Sequence, residues 1–115
     1  MRILPICRRE VQSVFKDIDF LSGTAEWISY EKLEDMLFVF YPKNFILDMG
    51  WDSVRGKYVI NVTRDESHVP VLKYSAATEE DIKTLLQKAI KKVDCESRVA
   101  KPYYGGFWET EIIEL

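Results

Sequence analysis

The sequence predicts an α+β domain: an N-terminal helix, an antiparallel β-meander of four to five strands, a second helix packed on one sheet face, and a strand-like C-terminal tail. Three observations predict it. Residues 57–64 alternate, with Tyr58, Ile60 and Val62 on one face and Val59, Asn61 and Thr63 on the other, which is the period of a half-buried strand. The segment from Thr78 reads as a helix with both ends marked. Thr78 is a good N-cap, Glu79, Glu80 and Asp81 meet the positive end of the dipole, and Lys88, Lys91 and Lys92 lie toward the negative end. Between these markers Ile82, Leu85, Leu86, Ala89, Ile90 and Val93 form one apolar face. Finally, the joints between strand-like runs are short and polar, which favours hairpins over parallel crossovers.

The remaining elements follow in chain order. Pro5 suits a first helical turn, and Cys7, Val11, Val14, Phe15 and Ile18 recur at steps of three and four, so a helix is expected from Pro5 to Leu21, with Gly23 ending it in a left-handed cap. Glu26 to Tyr30 reads as a strand because Trp, Ile and Tyr prefer pleated surfaces; a short helix lined by Trp27, Ile28 and Leu33 is the alternative. Met36 to Tyr41 is an unbroken apolar run and reads as a strand buried on both faces. Pro42-Lys43-Asn44 is turn chemistry. Phe45 to Trp51 is the next strand, in which Gly50 marks a bulge or a close backbone approach. Loops are expected at Asp52 to Gly56 and at Asp65 to His68, and a strand from Val69 to Tyr74 whose Pro70 places its start at an edge. The helix from Thr78 is expected to end before Cys95. In the tail, Tyr103, Tyr104, Phe107 and Trp108 surround two glycines, and 107–115 reads as a terminal strand bearing Glu109, Glu111 and Glu114 with no cation.

A chain of 115 residues fits one domain, 1–115, large enough to bury a core without staples. Its formal net charge of −3 argues against a nucleic-acid binder, which needs a basic surface, and suits a basic protein partner. Two cysteines, Cys7 and Cys95, without a CxxC pair argue against structural zinc and fit reduced thiols. The longest apolar run, Met36 to Tyr41, cannot span a bilayer, and the N-terminus has no signal-peptide core, so a cytoplasmic protein without membrane contact is expected.

No catalytic or cofactor signature stands out. GxGxxG, Walker, GxSxG, HExxH and EF-hand patterns are missing, so neither a metal nor a cofactor is expected and the protein is read as non-enzymatic. The alternative is a small enzyme or ligand-binding domain using Asp48, Asp52 and His68, the only histidine. On one strand Asp48 and Asp52 would lie ~13 Å apart, too far for the usual glycosidase carboxylate pair. The aromatic fraction is 13%, and aromatics beside acids make a plausible docking surface: Asp48, Trp51, Asp52, Asp65, Glu66, Tyr103, Tyr104, Trp108, Glu109 and Glu111 are the candidate partner-binding residues. The same aromatics fit a core and the same acids a solvated surface.

The order Phe-Ile-Leu-Asp-Met-Gly-Trp, Gly-Lys-Tyr-Val-Ile-Asn-Val, Pro-Val-Leu-Lys, then Thr-Glu-Glu-Asp-Ile with Leu-Leu-Gln-Lys-Ala-Ile, spread over Phe38 to Val93, resembles small bacterial immunity proteins of contact-dependent growth inhibition and other polymorphic toxin systems. That resemblance implies a cytoplasmic, non-enzymatic inhibitor that binds one cognate toxin domain. It carries over no binding residue, and it leaves open whether the chain is a monomer or a homodimer.

Overall fold

The computed structural model describes residues 14–65, 70–99 and 110–115. They form six strands in one sheet and, among the described residues, one α-helix: β1 (Thr24–Trp27), β2 (Leu37–Tyr41), β3 (Phe45–Asp52), β4 (Lys57–Arg64), β5 (Leu72–Ala76), α1 (Glu79–Val99) and β6 (Glu111–Glu114). The sheet order is β1-β2-β3-β4-β5-β6. Neighbours from β1 to β5 pair antiparallel, whereas β6 pairs parallel with β5.

This corrects the expected architecture. The sheet is mixed and has six strands, where a purely antiparallel meander of four to five was expected. The reason lies in α1: a 21-residue helix carries the chain ~30 Å back along the sheet, so the strand after it runs the same way as the strand before it. The expected N-terminal helix is also corrected. Residues 14–21, its described part, form turns, and Leu21 takes φ of 59°; Pro5 to Ser13 lies outside the described residues. The stripe of Val14, Phe15 and Ile18 is real packing without a helix, since Phe15 is fully buried and both neighbours lean on the core. Gly23 is no left-handed cap either. A Cβ there would lie 2.5 Å from Tyr41 Cζ, so the glycine admits the tyrosine ring, whose hydroxyl donates to Phe20 O at 3.1 Å.

One sheet face holds the core. Leu37, Val39, Phe45, Leu47, Met49, Tyr58, Ile60, Val62, Leu72 and Tyr74 are all buried there, against Ile82, Leu85, Leu86, Ala89, Ile90 and Val93 of α1. Each such side chain contributes ~1.5–3 kcal/mol by leaving water. Toward the Trp51 end of β3 an aromatic cluster takes over, with Phe15 at 5.7 Å from Trp27, Trp27 at 4.6 Å from Tyr30 and Trp51 at 4.8 Å from Tyr58.

The α1 apolar face and cap lie where the sequence places them. Thr78 Oγ1 accepts from the Asp81 N–H at 3.2 Å. Thr78→Ala is expected to lower stability by about 1 kcal/mol, read as a shift in the urea midpoint at unchanged slope. The helix outlasts its expected end and includes exposed Cys95. Its extra turns are used: Asp94 is buried, accepts from the Ser22 N–H at 3.1 Å and pairs with Arg98. A hydrogen bond from the Ser22 side chain leads in holding its carboxyl below the ordinary value against the opposing effect of burial, and Arg98 and the Ser22 N–H add to it.

Other strands differ from expectation. β1 spans Thr24–Trp27 where Glu26 to Tyr30 was expected, and the terminal strand is Glu111–Glu114. β2 is buried on one face only, and Phe40 is 47% exposed. An unbroken apolar run does not reveal that alternate side chains face out. β5 begins at Leu72 and sits between β4 and β6, so Pro70 marks no sheet edge; its carbonyl accepts from Thr110 Oγ1 at 2.7 Å. No helix among the described residues is long and apolar enough to cross a membrane.

Candidate functional site

The face of the sheet opposite α1 carries the candidate site. Strand alternation and register set Glu26, Phe38, Asp48, Asn61, Lys73 and Ile112 in one row across all six strands, and Phe40 beside Ile46 in the next. Phe38, Ile46 and Val59 stay partly open to solvent, Phe40 is 47% exposed and Ile112 62%. Apolar side chains thus surround a central carboxylate, Asp48.

A groove of about 640 Å³ opens beside it, lined by Lys32, Glu34, Asp48, Trp51, Asp52 and Asn61 among others. One wall exists because of Gly50. The chain entering β2 folds along the end of β3, with the Met36 N–H donating to Met49 O at 2.9 Å and the Trp51 N–H to Leu33 O at 2.8 Å. Between these bonds Glu34 O reaches over Gly50, 1.8 Å from where a Cβ would stand. The close backbone approach expected at this glycine is what the structure contains.

Asp48 carries the most unusual electrostatics of the groove. Burial pushes its carboxyl above the ordinary value, the Asn61 side chain counters by hydrogen bonding to the charged form, and nearby Asp35 adds repulsion. The groove itself is lined by three acids, Glu34, Asp48 and Asp52, and by Lys32, whose ammonium lies over the Trp51 ring. A cation brought there meets a half-desolvated carboxylate that gains from neutralisation.

The other predicted residues divide by role. Asp52 lines the groove, but its Oδ1 accepts from the N–H groups of Val54 and Arg55 at 3.0 and 3.1 Å, so its carboxylate shapes the β3–β4 hairpin. Trp51 points to the opposite face from Asp48 and Asp52, edge-on to Tyr58, with Lys32 Nζ 4.3 Å from its ring centre. Asp65 sits at the far end of β4. It takes a side-chain bond from Asn44 at 3.0 Å, donates its N–H to Asn44 O at 3.0 Å, and lies 3.5 Å from Arg64, tying the β2–β3 turn to β4. Glu111 lies on the α1 side, accepting from Lys92 Nζ at 2.8 Å and Tyr74 Oη at 2.9 Å. The Lys92 bond leads in holding its carboxyl below the ordinary value. Glu66, His68, Tyr103, Tyr104, Trp108 and Glu109 lie outside the described residues. Asp48 and Asp52 therefore share a groove, Trp51 and Glu111 do not share their face, and Asp65 lines a separate pocket with Phe40 and Ile46.

Sequence reasoning missed Phe38, Phe40, Ile46 and Asn61. The available signal was the β3–β4 alternation, which puts Asn61 on the outward face; extended through the pairing register it makes Asp48, Phe38 and Phe40 outward as well. Among the described residues no group of three or more His, Cys, Asp or Glu side chains could hold a metal ion. No family model, curated protein or solved structure matches the chain.

Proposed function

We propose that this protein is a non-enzymatic inhibitor that binds another protein, an immunity protein that neutralises a cognate bacterial toxin domain, with the open sheet face as its contact surface. The observation that carries the protein-binding part is the half-buried Asp48 among outward-facing Phe38, Phe40 and Ile46. Apolar side chains around a central charge are the arrangement of an interface core that admits one cation from the partner. The toxin as partner comes from the resemblance of the segment Phe38 to Val93 to immunity proteins.

Co-expression tests this. The product of the adjacent upstream gene, or its C-terminal domain, is expected to arrest growth when expressed alone and to be silenced by this chain, with the two co-purifying at one-to-one stoichiometry. Unchanged toxicity, or no complex with the neighbouring product, removes the toxin reading. The alternative, an enzyme or ligand-binding domain on Asp48, Asp52 and His68, has less support because Asp52 Oδ1 is already committed to the hairpin amides.

A further inference from the structure

We infer that in the free protein the open sheet face is covered by a second copy of this chain. The two faces pack about a two-fold axis that runs along β4 through Asn61, so that Lys73 of each copy reaches Asp48 of the other. The inference rests on the protein-binding reading above and names what occupies that face before the partner does.

One row of side chains on this face is its own complement. The register sets Phe38, Asp48, Asn61, Lys73 and Ile112 side by side on β2 to β6. Outward from Asn61, a carboxylate lies one strand to one side and an ammonium one strand to the other. An apolar side chain follows two strands away on each side. Half a turn about β4 therefore sets Asp48 against Lys73 and Lys73 against Asp48, Phe38 against Ile112 at both ends, and Asn61 against itself. That reciprocity is what an isologous two-fold contact requires. Glu26, at the far end of the row, falls beyond β6 of the second copy and stays in water.

Within one chain these charges cannot meet. Asp48 and Lys73 stand two strand spacings apart, ~10 Å, with Asn61 between them. The Asn61 side chain hydrogen bonds to the Asp48 carboxylate. Lys73 is exposed, and among the described residues it joins no ion pair. Packed sheets lie ~10 Å apart with their strands aligned to within ~30°, a gap that a lysine stem and an aspartate span together. Along the axis the other outward residues of β4 meet their own copies, Val59 on Val59 and Thr63 on Thr63. Lys57, at the end of that strand, has Asp52 directly across the hairpin to offset its charge. Phe38, Val59 and the exposed Ile112 leave water in the contact. Five strand spacings make the face ~24 Å wide, small for a permanent dimer. The two copies are therefore expected to exchange at micromolar concentration and to yield the face to a tighter partner.

Sedimentation of the full chain over a concentration series tests this, with monomer passing to dimer in the micromolar range as the expected result. Asp48→Lys and Lys73→Asp each set like charges together twice per dimer, and each is expected to weaken self-association tenfold or more. Mixed one to one, the two variants regain both opposite-charge contacts and are expected to form a heterodimer that neither makes with itself. The double variant is expected to dimerise like the parent. Lys73→Asp changes an exposed position and decides the matter if Asp48→Lys fails to fold. A parent that stays monomeric to millimolar concentration, a dimer indifferent to Lys73→Asp, or folded variants that do not associate when mixed overturns the inference. A monomeric parent that still captures a toxin through Asp48 overturns the second copy and leaves the protein-binding reading standing. A dimer that follows the charge exchange, without toxin capture, does the reverse.

Discussion

Gly50→Ala is expected to lower stability by about 2–3 kcal/mol, a large effect for a single methyl group. The added Cβ would stand 1.8 Å from Glu34 O, and that atom is backbone, held in place by bonds on both sides, Met36 to Met49 O and Trp51 to Leu33 O. A flexible side chain could rotate away, whereas here the Leu33–Asp35 segment must lift or β3 must bend. Forced overpacking of this kind typically costs 1–3 kcal/mol, and losing the Trp51–Leu33 bond adds about 1 kcal/mol. Urea unfolding gives the total, and amide exchange locates it: the Trp51 N–H should exchange faster in the variant even under native conditions. A variant within 0.5 kcal/mol of the parent, with the Trp51 amide still protected, would show that the segment is not clamped as described. The same substitution should widen the groove beside Asp48, because Glu34 forms its wall.

How far the sequence could be read depended on whether a signal was local. β4 and the start of α1 were legible because alternation and capping act within a few residues: the strand runs from Lys57 to Arg64, and Thr78 caps the helix. The expected Pro5–Leu21 helix shows the opposite case. Val14, Phe15 and Ile18 have helical spacing, yet Phe15 is buried as part of a turn against Trp27 and Tyr58, contacts supplied by distant strands. The parallel pairing of β6 was illegible for a related reason, since it depends on where a 21-residue helix delivers the chain. Within the candidate site, acid identity was visible and acid occupation was not. Asp52, Asp65 and Glu111 resemble Asp48 in sequence, but their oxygens serve a hairpin, an inter-turn tie and a strand anchor. Register separates Glu111 from Asp48, which lies between Phe38 and Asn61 on the open face, and only the hydrogen bonds that the fold brings together separate Asp52 and Asp65 from it.

That distinction makes Asp48 the residue where stability and binding are expected to part. Burial and Asp35 raise its folded-state pKa above the unfolded value, despite the bond from Asn61. The folded protein thus holds this proton more tightly than the unfolded chain. The favourable contribution is fully present below the unfolded pKa, about 3.9, and is lost as pH rises through the raised folded value. Asp48→Asn removes the titration, so its stability relative to the parent should climb between pH 3 and pH 7 and then level off; urea midpoints at pH 3, 5 and 7 measure it. A difference that stays flat, or falls, across that range would mean that the carboxylate is not strained by the fold. Binding should move the other way. Truncating one member of a buried charge pair costs 2–5 kcal/mol, so Asp48→Asn should weaken the partner at least thirtyfold, and Asp48→Lys, which places like charges together, should weaken it further. Titration calorimetry with the captured partner reads both variants. An acid that costs the fold stability at neutral pH and repays it only in a complex is a recognition residue, whereas Asp48→Lys with undiminished affinity would move the contact surface off the open face.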